Sequence, residues 1–557
     1  MTRSFDHHGR AALLLILACA LAAASTVAHA VGVSIVSEDG AWSWFSDPRA
    51  FCDGEVVIAG WVTTRGSIQV GSHDVLDGNT TIAELEHEFG PDDHDYPAFF
   101  QTSDGRYTAF YSGHARYGTH NLYRTGRYTW DITEWNDRDS THVNTSGSAG
   151  VTYSNPYAIP GETDEIYLFW RGADWKPAYA SGTYDPVSRE WSWVFRGKLI
   201  TTSYGRPYVK YAQGDDKIGF AFTNGHPKET PSNIYYAAIA KDAEGYPSYY
   251  GADGTFIKRL TMGPLTLSEA DTVFNRLADP TVTGDNSWIW DLTFDCGGDP
   301  VVAFASFPSR THHQYHWARY DGWGWEDEIL VADAGGSVAD TTIGAPQYYY
   351  SGGLALDPVD PTITYVSVEN GVGGWDIRRM RRLAPDTWDV EAITDGATVD
   401  NLRPVVPRGR PEDIEMVLWM SGTYDYYVNN IESEEPARDD TLYYDTAILC
   451  WADPAATDVP DGVVAAGVKL YPNQPNPFSG STEIAYALGS GGRVSLRVYD
   501  ASGRVVRAVV DDELPAGRHS AVWDGRDGRG HLVASGVYFV RLEADGRTET
   551  RRAVLVR

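Results

Sequence analysis

The sequence has few cysteines for its length, four in 557 residues. Cys19 lies in the apolar N-terminal stretch, so Cys52, Cys296 and Cys450 remain in the rest of the chain. Three thiols are too few for the disulfide framework that holds small secreted domains together. If the chain closes into a ring, a disulfide between Cys52 and Cys450 is one possibility. Because three is an odd number, at least one thiol stays unpaired or binds a metal.

Long apolar runs are absent after the first 30 residues. Those residues carry Arg3, Arg10, the apolar stretch LLLILACALAAA and a small-residue site, AHA, at 28–30. This is the pattern of a secretory signal peptide, and its apolar stretch is too short to span a bilayer. We therefore expect a secreted protein without a membrane span, either extracellular or attached to the cell surface.

Basic residues are scarce, since 45 Lys and Arg stand against 76 Asp and Glu, a formal net charge of −31. Such a surface argues against nucleic acids and anionic membranes as partners, and an anionic substrate would need a local cluster of arginines. Aromatic residues are plentiful instead, with 19 Trp, 34 Tyr and 18 Phe beside 56 Gly. That composition favours an all-β fold and suits a surface that packs against sugar rings.

Residues 92–114, DDHDYPAFFQTSDGRYTAFYSGH, are predicted to form one hairpin. Its strands, at 95–101 and 107–111, flank the turn sequence SDGR, in which Asp folds back on its own backbone and Gly adopts a positive φ. Antiparallel strands start and finish at the same edge of a sheet. His94 and His114 are therefore expected to face one site.

This hairpin recurs along the chain. A proline follows His94 by three residues. Prolines at the same spacing follow four other residues, namely Phe45, Tyr153, Tyr204 and Asn401. Two further copies, at 290–307 and 348–368, lack the proline. Seven hairpins spaced by about 50 residues, with one longer insertion at 227–285, predict a seven-bladed β-propeller in which each blade is a small sheet.

In such a ring the first strand of every blade begins at the same face. The residues aligned with His94, the arginines near them and the hairpin ends would then surround the mouth of the central channel. They are Phe45, His94, Tyr153, Tyr204, Asn401, Arg49, Arg206, Arg403, His114, Arg171 and His226. Imidazole, phenol and guanidinium groups concentrated at one level are the main functional signal of the sequence.

The chain is expected to divide into a signal peptide at 1–30, a propeller at 31–451, a linker at 452–467 and a small domain at 468–557. The linker, ADPAATDVPDGVVAAG, is rich in Pro, Ala and Asp. The last segment alternates strand-like stretches with turns about every 8–12 residues, which predicts a small immunoglobulin-like β-sandwich.

No cofactor is expected to be required, but a structural metal stays open. His312, His313 and His316 follow Cys296 closely enough for zinc, although no CxxC or HxxxH spacing supports it and a solvated loop is the alternative. Calcium suits the acidic composition, but no complete calcium-binding motif is present. The sequence gives no signal for assembly, so a monomer is expected.

The C-terminal segment carries the motifs YPNQPNPF, VYDASGRVVR, WDGRDGRG and ASGVYFVRLEA. These resemble the sorting and anchoring domains of proteins exported by the type IX system, and the related FlgD-type immunoglobulin-like domain. The resemblance implies secretion and attachment to the cell surface, with the export and sorting machinery as a partner.

The larger segment carries WSWFSDPRA, DDHDYPAFFQTSDGRYTAFYSGH, VTYSNPYAI, YLFWRGADWKP and GRPYVK, in this order. These motifs resemble the BNR-repeat family that includes the ulvan lyases of polysaccharide lyase families 24 and 25. Members of this group are seven-bladed propellers. The resemblance implies an anionic, sulfated algal polysaccharide as the substrate and β-elimination at a uronic acid as the reaction.

β-Elimination needs a group that neutralises the uronate, a base that removes the C5 proton and an acid that protonates the departing O4. Arginine binds carboxylates with a rigid fork, histidine titrates near neutrality, and tyrosine can serve as acid or base. The base and acid candidates are His94 and Tyr153, with Tyr157 as the alternative because the strand register is open. His114 and Arg171 complete the catalytic set by holding or neutralising the carboxylate.

Further substrate contacts are expected from Arg206, Tyr204, His226 and Arg49. Two other functions remain open. A sialidase-like glycoside hydrolase would need paired carboxylates, and Asp47, Asp93, Asp95 and Asp291 are near the mouth but form no clear pair. A non-catalytic glycan-binding propeller is the third alternative, because propellers host many functions.

Overall fold

The computed structural model describes residues 32–114, 120–141, 150–227, 231–275, 286–309, 311–338, 349–424, 444–453, 468–474, 478, 480–488, 491–500, 503–515, 517–544 and 547–555. The chain divides into two compact units, residues 1–454 and 455–557. The predicted signal peptide lies outside the described residues. So does the predicted linker, except for Ala452 and Asp453, which end the last strand of the first unit.

The first unit consists mainly of antiparallel sheets whose strands follow one another along the chain. Strand β1 (Gly32–Ser37) is an exception, because it joins the last of these sheets. Sheet I contains β2 (Ala50–Asp53), β3 (Val56–Val62), β4 (Ile68–Asp74) and β5 (Thr80–Glu86). Sheet II contains β6 (Ala98–Gln101), β7 (Tyr107–Tyr111), β8 (Leu122–Thr125) and β9 (Asp139–Ser140). Sheet III contains β10 (Thr152–Ala158), β11 (Glu165–Arg171), β12 (Pro177–Asp185) and β13 (Glu190–Lys198).

The predicted insertion enlarges the next sheet. Its region contains β14 (Ile200–Thr201), β15 (Val209–Gln213), β16 (Lys217–Thr223), β17 (Ile234–Lys241), β18 (Pro247–Tyr250), β19 (Phe256–Arg259), β20 (Leu265–Thr266) and β21 (Asp271–Phe274). Strands β15 to β19, with β21 paired to β17, form sheet IV, and β14 pairs with β20 in parallel. Short 3-10 helices occupy Ala173–Trp175 and Leu260–Met262.

Three more sheets complete this unit. Sheet V contains β22 (Ser287–Phe294), β23 (Pro300–Ser309), β24 (His312–Tyr320) and β25 (Trp325–Val331). Sheet VI contains β26 (Leu354–Leu356), β27 (Ile363–Glu369), β28 (Trp375–Ala384) and β29 (Thr387–Ala392). Sheet VII contains β30 (Asp400–Val405), β31 (Glu415–Thr423) and β32 (Asp445–Asp453), with β1 paired to β32 at its edge.

The predicted hairpins are confirmed as the first two strands of sheets I to VII. The turn between β6 and β7 shows why the motif folds this way. Asp104 accepts a hydrogen bond from the Thr102 hydroxyl at 2.6 Å and pairs with Arg106. Gly105 has a φ of 79°, and a Cβ there would lie 2.7 Å from Trp130. Glycine is therefore required at this position.

The first strands of the sheets adjoin one another in chain order, from β2 through β6, β10, β15, β22 and β26 to β30. Arg408, just after β30, returns to β2, since it donates to the Ala50 carbonyl and accepts from the Cys52 amide. The first unit is thus a propeller-like ring. Starts of the first strands and ends of the second strands meet at one face of that ring.

The second unit contains two sheets. One consists of β33 (Val468–Gln474), β34 (Thr482–Leu488) and β37 (Gly517–Trp523). The other consists of β35 (Gly492–Asp500), β36 (Val505–Leu514), β38 (Gly536–Ala544) and β39 (Arg547–Leu555). Apolar side chains from both sheets, among them Leu470, Leu496 and Trp523, form one buried core.

Cys52, Cys296 and Cys450 are all free thiols. The Cys52 sulfur lies 3.5 Å from the sulfur of Met416, and Cys450 is buried in the same core cluster. Ring closure therefore brings the two regions together without a disulfide. Within the described ranges, no helix combines the length and apolarity that crossing a bilayer demands.

A buried ion pair ties sheet VI to sheet VII. Asp357 follows β26 directly, and Arg410 lies between β30 and β31. The guanidinium donates to both carboxylate oxygens at 2.7–3.0 Å and also to the Ile414 carbonyl at 2.9 Å. Both side chains are at most 1% exposed, so losing either charge would leave the other buried without a partner.

We expect Asp357→Asn to lower the free energy of unfolding of the first unit by about 3–5 kcal/mol, because Arg410 keeps its charge but loses its counterion. The matched control is Glu134→Gln, which breaks a solvent-exposed pair with Arg127 and should cost less than about 1 kcal/mol. Denaturant unfolding followed by tryptophan fluorescence reports on this unit, because every tryptophan except Trp523 lies in it. Equal midpoints for the two variants would contradict this role of the pair.

Candidate active site

His94 and His114 meet at the face where the first strands begin, as the hairpin of sheet II predicts. His94 precedes β6, and His114 follows β7 with a φ of 41°. Their rings are stacked with 4.1 Å between centroids and 12° between planes. His94 has no exposed surface, whereas His114 keeps 6%. His114 is therefore the imidazole nearer to solvent and to any substrate.

The carboxylate of Asp92 bridges the two imidazoles. Its Oδ1 accepts from His94 Nδ1 and its Oδ2 accepts from His114 Nδ1, each at 2.7 Å. Asp93 approaches His94 Nδ1 as well, at 2.8 Å. A carboxylate on Nδ1 fixes the tautomer of a neutral histidine, so the lone pair of His114 lies on Nε2.

Burial and neighbouring charges separate the two histidines in pKa. Burial opposes the charge on His94, but Asp92 and Asp93 outweigh it and raise the pKa of His94 to about 9. Burial and the adjacent charge on His94 lower the pKa of His114 below its ordinary value. At neutral pH the pair is therefore one imidazolium and one neutral imidazole. Although burial acts against it, the same contact holds the pKa of Asp92 well below its usual range.

Tyr153 reaches this cluster from sheet III through an irregular backbone. The register of β10 shifts between Thr152 and Asn155, and Tyr153 has a φ of 65°. Asn155 holds the bulge, because its Nδ2 donates to the Tyr153 carbonyl at 2.7 Å and its Oδ1 accepts from the Asp47 amide at 2.9 Å. The Tyr153 ring lies 5.3 Å from that of His94.

Arg171, at the end of β11, supplies the positive charge. Its guanidinium carbon lies 4.7 Å from the centroid of the Tyr153 ring, and its Nη1 donates to the Tyr208 hydroxyl at 3.0 Å. Arg171 also contributes to lowering the pKa of His114. Arg171, Tyr153 and His114 thus form one compact group drawn from sheets II and III.

Aromatic rings surround this group. Phe45 contacts Tyr153 and Tyr208, with centroids 5.4 Å and 4.7 Å away. The predicted His226 packs against Tyr208 and Trp288 at 5.4 Å and 5.0 Å. His226 is only 3% exposed, so the structure places it in the wall of the cluster.

A basic and aromatic rim lies beside the buried group. Trp175 is half-buried between two guanidinium groups, those of Arg171 at 5.1 Å and Arg206 at 5.7 Å. Tyr204 is 44% exposed, and its carbonyl accepts a hydrogen bond from Lys176. These groups suit an anionic sugar chain, because guanidinium groups bind carboxylate or sulfate and aromatic faces pack on sugar rings.

Two predicted substrate contacts lack geometric support. Arg49 is buried and donates to Asp47 and to the carbonyls of Ser43 and Trp44. Tyr157 lies in a separate core cluster and donates to the Tyr211 carbonyl at 2.8 Å. For Tyr157 the reason is the bulge between Thr152 and Asn155. It turns Tyr153 toward the site, whereas Tyr157 packs in the core between sheets III and IV.

Three residues of the cluster were not predicted. Asp92 stands two residues before His94, a spacing that could have marked it as a partner for the imidazole. Tyr208 follows Pro207 and lies against Arg171 and Tyr153, where the repeat predicts Tyr204. The alignment of prolines alone does not reveal this difference of four residues. Trp175 belongs to the motif YLFWRGADWKP. Its own φ is 62°, and its ring lines the rim.

Other predicted ring residues and metal ligands have structural partners. Asn401 bonds to the Trp375 carbonyl and accepts from Trp419. His313 bonds to Ser351, and His316 lies between Ser306 and Asp327. Arg403 pairs with Asp93 at 2.7 Å. Cys296 is exposed and belongs to no ligand group among the described residues.

Within the described part of the chain, Asp92, His94 and His114 are close enough to hold a metal ion. The fit is poor for zinc, because both Nδ1–oxygen distances of 2.7 Å are those of direct hydrogen bonds, with a proton between the atoms. Metal binding would also require His94 to lose the proton that its two aspartates stabilise. This arrangement fits an imidazolium and an imidazole on one carboxylate.

We expect the stability of the first unit to fall as pH rises through 9. A histidine pKa raised from 6.5 to about 9 contributes stability that is complete below 6.5 and is lost above 9. The loss amounts to about 3 kcal/mol. His94→Gln should remove this component, whereas His312→Gln, at an exposed site, should keep it. Denaturant unfolding at pH 7 and pH 10 measures the difference, and identical pH dependence in His94→Gln and the unmutated protein would contradict the assignment.

Comparison with known proteins identifies two regions. Residues 58–332 match the model of a BNR repeat-containing family member, and residues 476–547 match the FlgD Ig-like domain. No curated protein sequence matches the chain.

Among solved structures, one described as a polysaccharide lyase PL25 ulvan lyase bound to -[GlcA(1-4)Rha3S]- is 12% identical, with a TM-score of 0.50 over 74% of this chain and 94% of that one. A second structure of a PL25 ulvan lyase has a TM-score of 0.49 at the same identity and coverage. PorZ, a surface component of the type-IX secretion system of Porphyromonas gingivalis, is 12% identical, with a TM-score of 0.31 over 91% of this chain and 69% of its own. At this identity the first likeness shows a shared fold. Residues 58–332 are therefore similar to a BNR repeat-containing family, and residues 476–547 are similar to the FlgD Ig-like domain.

Proposed function

We propose that this protein is a secreted polysaccharide lyase that cleaves a uronic-acid-containing polysaccharide by β-elimination. The observation that carries the proposal is the group of His114, Tyr153 and Arg171 around His94. Asp92 orients the neutral imidazole of His114, which stacks on His94, and the Tyr153 ring lies 5.3 Å from the His94 ring and 4.7 Å from the Arg171 guanidinium. These are the three chemical functions that elimination requires.

His114 serves as the base in this proposal. Asp92 holds its Nδ1–H, so Nε2 presents a lone pair, and the lowered pKa keeps that nitrogen unprotonated at neutral pH. This differs from the sequence-based assignment, which gave the acid and base roles to His94 and Tyr153. His94 is fully buried and charged, and its role here is to keep the stacked His114 neutral.

Tyr153 serves as the acid, and Arg171 neutralises the uronate. Removal of the C5 proton places negative charge on the carboxylate and its α-carbon, and a guanidinium stabilises that charge as it forms. The phenol then gives its proton to the departing O4, and the nearby Arg171 stabilises the phenolate. Water returns a proton to Tyr153 and takes one from His114 after each turnover.

The substrate class follows from the rim. Arg206, Lys176 and Trp175 provide cationic and aromatic surface on a protein whose net charge is −31. Such a local positive patch suits a sulfated or carboxylated sugar chain, and Tyr204 extends it toward solvent. An ulvan-like polymer is the proposed substrate, a choice supported by the shared fold with the PL25 ulvan lyase structure.

We extend the proposal to the architecture and location. The seven sheets are taken as seven blades of one propeller at 31–451, closed by β1, and the two sheets of the second unit as an immunoglobulin-like sandwich at 468–557. The signal peptide at 1–30 would direct export, and the FlgD Ig-like domain would serve sorting or attachment at the cell surface. No metal is assigned a catalytic step.

The hydrolase alternative is less favoured by the site. Asp93 forms ion pairs with His94 and Arg403, and Asp47 forms them with Arg49 and Lys210. These contacts stabilise both carboxylates as anions, and the pKa of each is lowered to about 2 even though burial acts in the opposite direction. Neither carboxyl group is therefore available as the protonated acid that glycoside hydrolysis needs.

Incubation of the mature protein with ulvan should produce unsaturated uronates, which absorb in the near ultraviolet. His114→Ala and Tyr153→Phe should each reduce kcat by about 10²–10⁴-fold, because each removes a proton-transfer group. Tyr157→Phe is the matched control and should retain kcat within a few-fold, since its hydroxyl only bonds a backbone carbonyl.

Each outcome discriminates among functions. A rise in absorbance only with alginate, pectin or glycosaminoglycans would keep the mechanism and replace the substrate. New reducing ends without absorbance would favour a hydrolase, and binding without new chain ends would favour a glycan-binding propeller. Full activity of both His114→Ala and Tyr153→Phe would refute the proposed roles.

The pH profile tests the electrostatic role of His94. The acid limb of kcat/KM should fall with an apparent pKa below 6.5, because burial and the charge on His94 disfavour protonation of His114. In His94→Gln that repulsion is gone, so the acid limb should move to higher pH. A limb that stays in place, or moves to lower pH, would show that His94 does not act on the base.

A further inference from the structure

A small cavity lies on the axis of the ring, lined by the first strands of sheets I, IV, V, VI and VII. Its volume is about 30 Å³, enough for a monatomic ion or one or two water molecules. We call it the central cavity. It is distinct from the cluster of His94, His114, Tyr153 and Arg171, none of which lines it.

Positive charge is in excess around the central cavity. Four cationic side chains and two carboxylates line it, namely Arg49, Lys210, Arg403, Arg408, Asp47 and Asp291. Asp47 pairs with both Arg49 and Lys210, and Asp291 lies 3.7 Å from Arg408. Arg403 pairs with Asp93, which lies outside the lining and is shared with His94, so the cations still outnumber the carboxylates. Burying unbalanced positive charge is costly unless an anion accompanies it.

The lining also presents hydrogen-bond donors without acceptors. Among the described residues, Arg403 Nε and Nη2, Trp44 Nε1 and Trp290 Nε1 have no partner, although all three residues are at least 94% buried. Arg403 is fixed in place, because its guanidinium carbon lies 3.8 Å from the centroid of the Trp44 ring and its Nη1 donates to Asp93. Such buried donors require an acceptor.

The carboxylates of the lining are already engaged. Asp47 accepts from Arg49 at 3.0 Å and from Lys210 at 2.6 Å. Asp291 accepts from the amides of Leu292 at 2.8 Å and Leu356 at 2.9 Å. A water molecule would need acceptors for its own protons as well as donors, whereas the side-chain atoms of the lining that lack partners, among the described residues, are all donors. An anion satisfies them without that requirement.

We propose that the central cavity binds a monatomic inorganic anion of chloride size. The anion accepts hydrogen bonds from Arg403, Trp44 and Trp290 and offsets the excess charge of the lining. By doing so it stabilises the ring at the point where five of its sheets converge. This site is independent of the proposed lyase activity and requires no substrate.

Crystals of the full-length protein grown or soaked in sodium bromide should show an anomalous bromide peak in the central cavity. In solution, replacing gluconate by chloride at constant ionic strength should raise the unfolding midpoint by at least about 2 °C. Trp290→Phe removes one donor and keeps the ring, so the chloride concentration for half the effect should rise about tenfold. Trp288→Phe removes an equally unpartnered indole N–H that does not line the cavity, and should leave that concentration unchanged.

Three results would overturn the proposal. One is a cavity that contains only water in bromide-soaked crystals. Another is an unfolding midpoint that does not respond to chloride in the unmutated protein. The third is an equal loss of the chloride response in Trp288→Phe and Trp290→Phe. Because the readouts are diffraction and stability, failure of the lyase assay has no bearing on them.

Discussion

The pairing of β1 with β32 is the constraint on which the first unit depends. It joins the first described strand of the chain to the last strand of the ring, from Gly32 opposite Ala452 to Ser37 opposite Ile448. Without it, sheet VII would end in an exposed edge with unpaired backbone groups. Closure also sets the positions of the first strands, so distant segments such as those of Cys52 and Met416 come into contact.

Convergence of the first strands creates two charged regions with different chemistry. At the face, Asp92 accepts hydrogen bonds from the Nδ1 atoms of both imidazoles. Together with Asp93 it stabilises the imidazolium form of His94, and it leaves the lone pair of His114 on Nε2. On the axis, cations outnumber carboxylates and leave donors unmet. Arg403 links the two, because Asp93 accepts from it at 2.7 Å and also approaches His94. A chain of ion pairs through Asp93 therefore connects the central cavity with the histidine pair, although neither histidine lines the cavity.

Repeat spacing and strand alternation made much of the fold predictable. The hairpins and the meeting of His94 with His114 follow from turn chemistry and antiparallel pairing, which are local. The structure brings Tyr153 and Arg171 into the same cluster, as the alignment of their segments with that hairpin predicts. Tyr157 does not join them, because the bulge at Tyr153 shifts register within β10, and a shift of one residue reverses which side faces the site. Tyr208 was missed because it follows its proline, whereas the repeat was aligned on the residues three positions before each proline.

The sequence by itself determined the all-β class, the hairpin repeats and the residue types at the mouth, because these depend on contacts close along the chain. Only the tertiary structure decided which donors and acceptors are paired. Arg49 is engaged by Asp47 and two carbonyls, and Asp92 connects His94 with His114 across a hairpin. The charge state of a side chain, and whether it is free to bind substrate, depend on the neighbours that ring closure brings near it. The spacing of residues along the sequence does not give the distances between such neighbours in space.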